Sequence, residues 1–155
     1  MLNVSIQKQR LLLQDRFLGL ELGLYEGLLL LLELDEQLGS ETRGSLELLH
    51  QLHEEYLACL LLLPPAERQA QFQQLTLQGL ACILRSPTQR NLLEPLKKNL
   101  SNRRWQQLQE EPLYREAGEP SLSQLKSCLA PFFQQLERQI QQGELVLPAP
   151  NDPCY

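Results

Sequence analysis

Apolar residues in the first 38 positions recur at three-four spacing. Ile6, Leu13, Phe17, Leu20, Leu24, Leu31, Leu34 and Leu38 form one seam. Leu18, Leu22, Tyr25, Leu29 and Leu32 form a second seam on an adjoining face. The spacing predicts one long helix from about Val4 to Leu38. A helix with two apolar seams has neighbours on two sides, so it is expected at the centre of the fold. Gly39-Ser40 supplies a stop signal, and Gly44-Ser45 opens the next element, with Ser45 as its cap.

A second helix is predicted from Ser45 to about Leu62, with Leu49, Leu52, Tyr56, Leu60 and Leu63 inward. Pro64-Pro65 ends it, and Pro65 suits the first turn of a third helix, with Glu67 near the positive end of its dipole. The third helix is expected to reach Leu84. Ser86, Pro87 and Gln89 make a new helix start, and Pro95 predicts a kink or two short helices beyond it. Ser101-Asn102 starts a further short helix, and residues 110–120 read as a loop. The last helix opens with the Ser121/Gln124 capping box and carries Leu122, Leu125, Leu129, Phe132, Leu136 and Ile140 inward. Pro131 is expected to kink it near Ser127, and Gly143 to stop it. The expected organisation is an all-α helical bundle domain over 1–143, about five helices around the leucine-rich first. An extended or disordered proline-rich tail follows over 144–155, in which Leu145, Val146 and Leu147 are able to dock.

Composition supports helices. Leucine fills 40 positions and glutamine 20, whereas Val, Ile and Thr together fill 8 of 155. The run 17–34 is long enough to span a bilayer, but Glu21, Glu26 and Glu33 fall inside it, at a cost of a few kcal/mol each at depth. A helix of a water-soluble fold is the expected reading. The opening MLNVSIQKQR has no apolar core and no cleavage pattern of a secretory leader. Cys59, Cys82, Cys128 and Cys154 form no C-x-x-C pair, which fits free thiols in a reducing compartment. A cytoplasmic location is therefore expected.

A net charge of −5 argues against a general nucleic-acid coat. The charge is nevertheless uneven. Residues 85–105 hold six basic residues against Glu94 alone, in an otherwise acidic chain. Arg90, Lys97, Lys98, Arg103 and Arg104, followed by Trp105, form a candidate patch for phosphate, an acidic lipid surface or an acidic partner. The plainer reading is that they neutralise the chain's own acidic helices. Gly19, Gly23 and Gly27, four residues apart on the predicted first helix, form a candidate stripe for close helix packing.

His50 and His53, the only histidines, lie one turn apart with Glu47 and Glu54 nearby. Glu47 and His50 match half of a di-iron E-x-x-H pattern, but no second histidine pair completes it. A solvated polar face is expected there, with no metal and no cofactor. No G-x-S-x-G, phosphate loop, H-E-x-x-H or dinucleotide fingerprint occurs. The function expected is a non-catalytic helical interaction module of adaptor, chaperone or inhibitor type, bound to a protein partner. The alternative is a regulatory nucleic-acid-associated protein using residues 85–105. An unbroken first helix of 35 residues would extend roughly 52 Å, beyond a domain roughly 40 Å across. Either the helix breaks near Gly19, Gly23 and Gly27 or the overhang is covered, and a homodimer covering it is the expected outcome.

Overall fold

The computed structural model describes residues 3–7, 10–14, 16, 19–86 and 92–148. They are mostly helical, with nine helices and one three-stranded sheet among them. The chain divides into two compact units, Met1–Leu52 and His53–Tyr155.

In the first unit, β1 (Asn3–Gln7), β2 (Arg10–Gln14) and β3 (Gly19–Gly23) form an antiparallel meander in the order β1-β2-β3. Val4 stands opposite Leu13, and Leu13 opposite Leu20. Asn-Val-Ser-Ile-Gln and Gly-Leu-Glu-Leu-Gly each alternate polar or small with apolar residues, the two-residue period of a strand. Arg10 and Glu21, diagonal neighbours across β2 and β3, form an ion pair at 2.6 Å. Helix α1 (Leu24–Gln37) follows β3 directly and packs on β2 and β3. The predicted long first helix is thus corrected: its first twenty residues hold a sheet, and only 14 residues from Leu24 onward are helical.

Helix α1 ends in a left-handed glycine. Gly39 has φ +66°, its N–H donates to the Glu36 carbonyl at 3.2 Å, and the Ser40 N–H donates to Asp35 at 2.8 Å. These are the two bonds of a Schellman cap. Helix α2 (Arg43–Leu61) begins two residues before Ser45. Ser45 therefore does not cap it; the hydroxyl donates to Asp35 Oδ2 at 2.8 Å. The division between the units falls within α2, after Leu52.

The second unit holds the rest of α2 and α3 (Pro65–Gln74), α4 (Leu77–Arg85), α5 (Leu93–Lys98), α6 (Asn102–Glu110), α7 (Pro112–Arg115), α8 (Leu122–Cys128) and α9 (Ala130–Gln141). Here α4 is the helix on which α6, α7 and α8 pack. Its Leu80, Ala81, Cys82 and Ile83 are fully buried. The expected third helix is broken in two, because Thr76 takes extended backbone and accepts from the Gly79 N–H at 3.0 Å, capping α4 afresh. The expected loop over 110–120 contains the single turn of α7, with Pro112 at its start.

Several start and stop signals act as the sequence predicts. Pro65 and Glu67 sit in the first turn of α3, Ser101 caps α6, and Ser121 with Gln124 forms a complete capping box. Pro131 separates α8 from α9 at Leu129. Gly143 has φ +74° and closes α9 with a second Schellman pair. The helix start expected at Pro87–Gln89 lies outside the described residues, as does the tail beyond Pro148. Leu145 is buried, while Val146 is 81% exposed.

Candidate functional site

Helix α1 separates the two leucine seams. Tyr25 and Leu32, from the second seam, are fully buried. Leu31, Leu34 and Leu38, from the first, are 42%, 45% and 77% exposed, and Leu30 beside them is 37% exposed. Leu31, Leu34 and Leu38 are three or four residues apart, so they lie along one face. The helix carries Glu26, Glu33, Asp35 and Glu36 and no lysine or arginine. Its outer face is therefore an apolar strip in an acidic surround, ended by the fixed turn at Gly39.

The basic segment is less uniform than its composition suggests. Arg104 turns inward: its guanidinium donates to the Phe72 carbonyl at 2.9 Å and also to the Leu75 carbonyl. These acceptors lie at the C-terminal end of α3, where the Phe72 carbonyl also accepts from the Leu75 N–H at 3.3 Å. Burial lowers the pKa of this guanidinium. Beside it a cleft of about 240 Å³ is lined by Gln69, Phe72, Gln73, Asn99, Ser101 and Arg104. The side chain of Arg85, also from this segment, is 7% exposed; it pairs with Glu116 at 3.3 Å and donates to the Gly118 and Glu119 carbonyls. Lys97 Nζ lies 4.9 Å from the centre of the Trp105 ring, and Trp105 meets Tyr114 edge-on. Lys98 and Arg103 are exposed, and Arg90 lies outside the described residues.

The glycine stripe does not form on one helix. Gly19 and Gly23 end a strand, and only Gly27 lies in α1. Gly23 and Gly27 are buried and Gly19 is exposed.

The expected solvated histidine face is also corrected. His50 and His53 are 4% and 0% exposed. The His53 ring stacks on Phe133, with centroids 4.4 Å apart. Tyr56, one turn further along α2, donates to the buried Glu137 carboxylate at 2.7 Å. Burial, and then Glu137, push the Tyr56 phenol well above its ordinary range. Glu137 was not legible as part of the core, since it adjoins the inward Leu136 in a stripe that predicts only apolar partners. Among the described residues, no group of three or more His, Cys, Asp or Glu is gathered as for a metal ion. No described helix is long and apolar enough to cross a membrane.

Comparison of the chain with protein-family models, curated proteins and solved structures finds no match.

Proposed function

We propose that the chain is a non-catalytic, cytosolic protein-interaction module of adaptor, chaperone or inhibitor type, docking through the outer face of α1. The observation that carries this reading is the exposure of Leu31, Leu34 and Leu38 on a helix that buries Tyr25 and Leu32 on its other seam. Contiguous exposed apolar residues rimmed by charge are the usual mark of an interaction surface. The fitting partner is an amphipathic helix with an apolar stripe and basic flanks, laid along the strip.

The same charges bear on the homodimer. With only 14 residues, α1 spans roughly 21 Å, so no overhang remains to be covered. Two α1 strips facing each other would also bring acidic flanks together, and like charges across an interface disfavour the pairing. A heterologous basic partner fits better than a second copy. The nucleic-acid alternative draws less support, because Arg104 is engaged by backbone carbonyls and Lys97 covers a face of Trp105 on which a base would stack.

The test compares the wild-type chain with a Leu31→Glu, Leu34→Glu, Leu38→Glu variant by affinity capture from source cells. The captured helix is then titrated as a synthetic peptide. Loss of binding by at least tenfold, with an unchanged melting temperature, supports the reading. Equal binding by both chains rejects it.

A further inference from the structure

Cys82 and Cys128 belong to different helices, α4 and α8, which pack on one another, and the Cys128 thiol is near enough to bear on the ionisation of Cys82. The contact depends on a glycine. Gly79 lies one turn before Cys82, and a Cβ there would stand 3.0 Å from the Cys128 carbonyl oxygen. With hydrogen in that place, α4 comes close to the Cys128 backbone, with the Leu75 and Thr76 side chains alongside. The two thiols differ in access. Cys82 is fully buried, whereas Cys128 is half-buried and lines an open cleft of about 240 Å³ with Thr76, Ser127 and Gln135. The Ser127 hydroxyl lies 3.5 Å from the Cys128 sulfur.

We propose that Cys82 and Cys128 form a dithiol site that small disulfides of the glutathione type oxidise to a disulfide between α4 and α8. The cleft admits the oxidant to Cys128 first. The Cys128 thiolate attacks one sulfur of glutathione disulfide. The S–S bond breaks, a Cys128–glutathione bond forms, and the departing glutathione thiolate takes up the proton Cys128 released. Cys82 then gives up its proton and attacks the Cys128 sulfur. The Cys82–Cys128 bond forms, and a second glutathione leaves as thiolate and is protonated. Two protein thiols are oxidised and one small disulfide is reduced to two thiols.

The environments set this order. Burial, and then Cys128, push the Cys82 thiol up to about 12, so Cys82 is a poor first nucleophile. Once Cys128 carries glutathione, its own ionisation no longer opposes that of Cys82. The second attack is also intramolecular, between groups on two helices packed together. Cys59, in α2, serves as the internal reference thiol.

The full-length chain is equilibrated over a series of reduced-to-oxidised glutathione ratios. Remaining thiols are then alkylated, and tryptic peptides are read by mass spectrometry. The expected product links peptides 69–85 and 127–138, while Cys59 stays alkylatable. Cys128→Ser should abolish oxidation of Cys82. Cys82→Ala should trap glutathione on Cys128. Should Cys82→Ala fail to fold, wild type and Cys128→Ser still decide the matter. A glutathione adduct that persists on Cys128 of the wild type, without the linked peptide, overturns the proposal. So does oxidation of Cys59 ahead of the pair.

Discussion

Arg103 and Arg104 are adjacent, identical in chemistry and opposite in role. Arg103 is exposed, whereas Arg104 donates to carbonyls at the end of α3. Hydrogen bonds from a charged donor are worth about 1.5–3 kcal/mol, and exposed charges well under 1. Arg104→Ala should therefore lower unfolding stability by about 2 kcal/mol in urea titration, and Arg103→Ala should leave it within about 0.5. Nothing in the local sequence separates the two, because the acceptors lie some thirty residues away in the chain. Tyr56→Phe removes a donor from the buried Glu137 carboxylate and should cost about 1–3 kcal/mol by the same measurement. Basic pH acts on Cys82. Its folded thiol titrates at about 12, against an ordinary 9.0. The unfolded chain loses this proton first, so the stability is present below 9.0 and is lost as the pH climbs through 12. Denaturation midpoints taken at rising pH should fall over this window, and the fall should shrink in Cys82→Ala.

At the scale of elements, chain punctuation was legible and the period of the first segment was not. Caps and stops such as Ser121, Pro65 and Gly143 act through their own neighbours, so local residues suffice to identify them. The sheet misleads because leucine fills 40 of 155 positions. At that density a three-four pattern is met by chance, and it conceals the strict alternation in 3–7 and 19–23. Two glycines four residues apart, costly in a helix, were the clue that these residues belong to something else. Gly79 is a different case, a helical glycine fixed by packing. Alanine there gains about 1 kcal/mol of helix propensity but overlaps the Cys128 carbonyl and Leu75, at a cost of about 1–3. Gly79→Ala should thus be destabilising by up to roughly 2 kcal/mol in thermal or urea unfolding. Gly19→Ala, which meets nothing within 4 Å, should be close to neutral.

For the molecule as a whole, the sequence pointed to self-association through a long helix, and the short α1 removes that reason. What survives is one seam of the original pattern, now exposed. Light scattering on the isolated chain should give a mass near 17.9 kDa at micromolar concentration. A doubled mass that returns to the single value in Leu34→Glu would instead identify a second copy as the occupant of the strip. The candidate surface was half legible: both seams could be read along α1, but which one meets solvent depends on β2 and β3, whose pairing the helical pattern hid.

The meander also has a bearing on folding order. Each of its strands pairs with the next in sequence, so the first unit begins with contacts between residues close along the chain. Forming such hairpins takes about 1–10 μs, and low contact order speeds folding generally. The second unit joins far more distant partners, as when Tyr56 reaches Glu137 across 81 residues. In pulsed hydrogen exchange during refolding, amides of β2 should gain protection before those of α9. In synthesis from the ribosome, the sheet would likewise be complete before the last helix has been made.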